Sequence, residues 1–259
     1  GGTTTNVNID GATADEICGG SNISGNITNQ ANVNLENTSA TAAYGAGNKA
    51  NVNKSVVNAE TSNITTVYGG GNKASANGSS IVNIKSGTYD TVFGGGNDAG
   101  GNASTSATIN YTGGTVGTIF GGSNSSGDIT TTTVNIATDS AIENVISTPN
   151  MDVYGGNNAG GKVQTTNVNL GKITCNNVYG GGNQAIVGRT NVNAVSATTV
   201  NNLYGGGNAA GVTKINEQST IDPNTNVVLD GGTVKGNLFG GGNEGLADRK
   251  SGSAGMPRP

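Results

Sequence analysis

The chain of 259 residues contains no histidine and no tryptophan, only two cysteines and four prolines, and few aromatic or charged side chains, 4% and 11%. Without imidazole there is no Ser-His-Asp hydrolase, no papain-like Cys-His protease and no His-ligated metal site. No apolar run approaches the roughly eighteen residues of a membrane-spanning helix. Gly1-Gly2-Thr3-Thr4-Thr5 has neither the basic nor the apolar segment of a secretory leader. A net charge of −4 with scattered Lys and Arg argues against a nucleic-acid partner. Hydrophobic residues make up only 32%, which alone would suggest disorder, but proline is scarce and the apolar residues recur at fixed intervals.

What is present is Gly, Asn and Thr, at 46, 40 and 33 residues, and their placement is periodic. A motif of aromatic-Gly-Gly-Gly-Asn type ends at Asn22, Asn48, Asn72, Asn97, Asn124, Asn158, Asn183, Asn208 and Asn243. Successive spacings are 26, 24, 25, 27, 34, 25, 25 and 35, a period of about 25 with two insertions. All three Phe and five of the seven Tyr stand at one phase of this repeat. A second motif lies about fifteen residues upstream of each Asn, as in Val7-Asn8-Ile9, Val33-Asn34-Leu35 and Val168-Asn169-Leu170. Its apolar-polar-apolar alternation is that of a short strand with one buried face. Further apolar positions follow at Ile64, Tyr89, Val116, Cys175 and Val200, and directly before each aromatic.

One such unit cannot bury its own apolar face, whereas stacked units share a continuous core. The predicted fold class is therefore all-β: a single right-handed parallel β-helix, or β-solenoid, of about nine coils and about 25 residues per coil. Each unit should hold two or three strands of three to five residues. The rod spans 1–245, with insertions near 137–152 and 211–226, and 246–259 reads as a linker or C-terminal extension. The Gly-Gly-Gly corner is expected to turn sharply through positive φ, and Asn to tolerate the left-handed region beside it. Stacked one rung apart, the nine corner Asn should form an amide ladder, which outweighs a row of ligand contacts.

The V-N-[IL] strand and the [YF]-G-G-G-N corner, as in Val178-Tyr179-Gly180-Gly181-Gly182-Asn183, resemble the repeats of bacterial cell-surface β-helix proteins, adhesin-like and autotransporter-passenger-like. The resemblance covers residues 3 to about 245. It implies extracellular display, a role as adhesin module or rigid stalk, and a host or bacterial surface glycan or protein as partner. It brings no catalytic residues. It also implies a leader, an anchor and flanking domains in a longer chain.

The alternative reading is a carbohydrate-binding or carbohydrate-active β-helix, and because β-helices also carry polysaccharide lyases and hydrolases, clustered carboxylates matter. Asp10, Glu36 and Glu60 share a phase twelve residues before a corner Asn, followed by Lys85, and should stack ~5 Å apart. Three oxygen-bearing groups offer a weak calcium column, and two at that separation echo a retaining glycosidase. A solvated strand edge is the favoured reading, with no cofactor and no catalysis. Burial of the aromatic column is favoured over a sugar-stacking stripe. The outward Asn/Thr rows, from Asn6 and Asn8 to Asn191 and Asn193, carry a minor ice-binding alternative. The insertions are candidate binding loops. Cys18 and Cys175 stand six rungs apart, too far for a disulfide.

Overall fold

The computed structural model describes residues 2–99, 104–195, 197–216 and 219–244; the predicted C-terminal extension lies outside them. Among the described residues there is no helix, and so none long and apolar enough to cross a membrane. The chain winds as a parallel β-solenoid. Its first sheet has nine strands in sequence order: Thr4–Asp10, Ile27–Glu36, Val52–Glu60, Ala76–Ile84, Ser104–Tyr111, Ile129–Ile136, Val163–Leu170, Val187–Val195 and Asn224–Asp230. The second sheet follows the same order, from Thr13–Cys18 through Ser39–Tyr44, Ser62–Tyr68, Gly87–Phe93, Thr115–Phe120, Asp152–Tyr154, Ile173–Tyr179 and Thr199–Tyr204 to Thr233–Val234. Nine coils make eight full turns, and at ~4.8 Å per rung the rod is about 38 Å from first coil to last.

Register follows the sequence repeat. Val7, Val33, Val57, Val82, Ile109, Val134, Val168, Val192 and Val227 pair in one column. These residues and their second-sheet counterparts, such as Ile64, Val67, Val178 and Leu203, form the inner core. First-sheet strands run seven to ten residues, longer than the three to five predicted. Alternation marks only the buried apolar positions, whereas backbone pairing continues through the Ser, Thr and Asn around them. One reason is a row of hydroxyls at the inward position beside the corner. Ser55, Ser80, Thr132, Thr166 and Thr190 are buried and donate to the corner carbonyls of Gly69, Gly94, Gly155, Gly180 and Gly205 at 2.5–2.6 Å. Each bond ties the first sheet to the corner of its own coil.

The corner glycines correct an expectation. None of the Gly-Gly-Gly residues has positive φ, and neither do the corner Asn. Left-handed residues such as Gly11, Asn37, Thr61 and Ala137 sit instead where the chain leaves the first sheet, and Gly25, Gly127 and Gly161 lie past the corner Asn, just before the next first-sheet strand. What the corner demands is close approach: a Cβ on Gly180 would lie 2.2 Å from the Gly205 carbonyl oxygen one coil above, and Gly69, Gly94, Gly121 and Gly155 meet the same obstacle at 2.2 Å.

Neither insertion breaks the stack. Val134 pairs with Ile109 and Val168, and Tyr154 with Phe120 and Tyr179. The first insertion adds Ile146–Ser147 against Ile173 and Thr174, and Lys172 Nζ donates to the Ile142 carbonyl. The second folds back over the previous two coils: Val212 bridges to Val187, and Lys162 Nζ donates to Ile215 O at 3.1 Å.

Candidate functional site: an asparagine-lined groove

Three kinds of side-chain column run along the rod. At the Gly-rich corner, each Asn Nδ2 donates to the Oδ1 one coil below, from Asn48 onto Asn22 at 2.8 Å up to Asn243 onto Asn208 at 2.9 Å, so all nine are joined. Beside them the aromatic residues stack face to face, Tyr44, Tyr68, Phe93, Phe120, Tyr154, Tyr179, Tyr204 and Phe239, with centroids 4.7–5.4 Å apart and planes within 13°. From Tyr44 to Tyr204 the rings are buried in a cluster of their own outside the inner core, so they offer no sugar-stacking stripe; only Phe239, in the last coil, is exposed. Burial first, then the neighbouring tyrosine, pushes the Tyr44 and Tyr179 hydroxyls up to about 12.

The third column was only half legible. The repeat places the middle Asn of V-N-[IL] as an outward polar residue. In the structure it builds a second ladder: Asn34 onto Asn8, Asn58, Asn83, Asn110, Asn135, Asn169 and finally Asn193, at 2.7–3.0 Å. It ends at Val228, which takes the phase in coil nine. The signal was available, because the same residue recurs at that phase in eight coils.

This second ladder lines a discontinuous groove parallel to the rod axis, where the chain passes from first sheet to second. One cavity of about 500 Å³ is lined by Asn8, Asn34 and Asn58 with Asp10, Glu36, Glu60 and Lys85. The next, about 450 Å³, runs over Asn83, Asn110 and Asn135, with Lys85, Thr138 and Asp139. A third, about 290 Å³, continues over Asn169 and Asn193 beside Lys172, with Thr138 and Asp139 again in its wall. The base of the first insertion thus stands as a rib between the last two.

Asp10, Glu36 and Glu60 are in register and exposed, as the shared phase implies. Asp10 accepts from Asn37 Nδ2 at 2.9 Å, and Glu60 faces Lys85 at 3.4 Å with both side chains at least half exposed. A pair so solvated contributes at most about 1 kcal/mol. Among the described residues no three ligating side chains gather into a metal-binding group. Cys18 and Cys175 are free thiols. Cys175 is buried, and burial, then Asp152, pushes it up to about 12; Cys18 is only half-buried, less covered than its phase suggested. Comparison with protein-family models, with curated proteins and with solved structures finds no match to this chain.

Proposed function

We infer that this chain is a rigid, non-enzymatic solenoid segment of a bacterial cell-surface protein, displayed outside the cell as an adhesin module or stalk. The observation that supports it most is axial continuity. Both amide ladders, the aromatic stack and both sheets run from coil to coil, and the two insertions leave the register intact. Such a rod holds whatever it carries at a fixed distance, and few of its hydrogen-bonded columns depend on charge, so it tolerates changes of salt and pH. The acidic column lines the first cavity, but its carboxylates are solvated and Lys85, which pairs with Glu60, is itself more than half exposed, which favours this reading over a polysaccharide-degrading one.

Antibodies raised against the chain test the proposal on intact cells of the bacterium that produces it. Labelling of intact cells, removed by brief external protease treatment, is the expected result. Labelling only after lysis would overturn it. Release of new reducing ends from a polysaccharide by the purified chain would instead favour the enzymatic alternative.

A further inference from the structure

We propose that the asparagine-lined groove binds a neutral linear glycan laid parallel to the rod axis. The inference rests on the adhesin reading and gives its partner a chemical class.

The first reason is unspent hydrogen-bonding capacity. An Asn amide has two N–H donors and an oxygen with two lone pairs. In the groove ladder each interior Asn spends one N–H on the coil below and one lone pair on the coil above, and among the described residues these amides have no other side-chain or backbone partner. One donor and one acceptor therefore remain at every rung. The ladder itself fixes the amide planes, so the entropy of ordering these side chains is already spent before a ligand arrives. Hydroxyl groups, which both donate and accept, complement such a row; a purely donating or purely accepting ligand uses half of it.

The second reason is spacing. Rungs recur every ~4.8 Å, whereas groups on one side of an extended peptide recur every ~6.6–6.8 Å, so a peptide laid along the axis falls out of step within two rungs. A linear pyranose chain advances by about one rung per sugar and carries hydroxyls on its edges, so its polar groups can keep step with the amides more closely than those on one side of a peptide. The third reason is charge. The first cavity carries Asp10, Glu36 and Glu60 against Lys85 and so repels phosphate and uronate polymers, while the second and third balance Asp139 against Lys85 and Lys172, and the amide floor is uncharged throughout.

Calorimetric titration of the whole chain with β-1,4-linked xylose and N-acetylglucosamine oligomers of two and six units, and with a galacturonate hexamer, tests this. At least one neutral hexamer should bind ten-fold or more tighter than its dimer, and the galacturonate hexamer more weakly than either neutral hexamer. Asn110→Leu, in the groove, should weaken hexamer binding ten-fold or more. Asn183→Leu, which severs the same number of ladder bonds at the opposite corner, should leave binding unchanged. Thr138→Trp fills the groove from an exposed position without removing any ladder residue and should also abolish binding, so a folding defect in Asn110→Leu does not decide the matter. No binding of either neutral hexamer, tighter binding of the galacturonate, or equal loss in Asn183→Leu would overturn the assignment. Surface labelling on intact cells is read separately, so an adhesin that binds something else is distinguishable from a chain that is no adhesin.

Discussion

Gly180→Ala and Gly240→Ala separate the two reasons a corner can require glycine. Both residues stand directly after the aromatic, and neither has positive φ. A Cβ on Gly180 would lie 2.2 Å from Gly205 O and 2.9 Å from a Val192 methyl. The carbonyl would have to retreat by at least 0.8 Å to reach the 3.0 Å that real contacts respect. That carbonyl also accepts the buried Thr190 hydroxyl at 2.5 Å, and the Gly180 amide donates to Tyr204 O at 2.8 Å, so the retreat strains two hydrogen bonds. Overpacking of this kind costs about 1–3 kcal/mol and a disturbed buried hydrogen bond about 1 more, giving about 2–4 kcal/mol. Among the described residues nothing lies within 4 Å of a Cβ on Gly240. Its replacement should be neutral or stabilising by about 0.4–1 kcal/mol, because alanine restricts the unfolded chain. Urea unfolding followed by circular dichroism measures both as midpoint shifts at constant slope. Hydrogen exchange should place the Gly180→Ala loss at coils seven and eight. Equal destabilisation of the two variants, or a Gly180→Ala shift within about 0.5 kcal/mol of zero, would refute the close-approach argument.

Ala107 stands where neighbouring coils have a hydroxyl bonded to the corner, so Ala107→Ser should add the missing bond to Gly121 O and raise the urea midpoint by the equivalent of about 1 kcal/mol; a fall would show that the pocket has no room. Cys175, held up to about 12, should react with a thiol reagent only on unfolding at neutral pH, and Cys18 sooner; both should titrate in denaturant without reductant. Tyr44, Tyr89, Tyr111, Tyr179 and Cys175 all have folded-state values near 12, above their unfolded values of 10 and 9. The unfolded chain therefore loses protons first, so this stabilisation is complete below about pH 9 and is lost as pH rises toward 12. Tyrosinate absorbance should then rise cooperatively with unfolding; independent titration at ordinary tyrosine values in the folded rod would contradict the burial of the rings. Calcium should leave the melting temperature within about a degree, and a large rise abolished by Glu36→Ala would show a site on the acidic column.

The 25-residue period, by itself, determines a great deal here. Residues at equal phase become neighbours one rung apart, whatever the exact path of the coil. The inward Val and Ile columns, the ladder from Asn22 to Asn243, the aromatic stack, the acidic row at Asp10, Glu36 and Glu60 and the separation of Cys18 from Cys175 are all relations between equivalent positions. Relations between positions of different phase depend on how the corners close, and only the tertiary structure decided them. It showed that Gly180 answers to a carbonyl above it and not to its own φ, and that Thr166 reaches across its own coil to Gly180. The Asn8–Asn193 ladder depended on both: its column was visible in the repeat, but the groove beside it exists only because Asp10, Lys85 and the rib at Thr138 and Asp139 arrive at that edge from other phases and from an insertion. A repeat specifies what lies above and below a residue; the shape of the coil specifies what lies beside it.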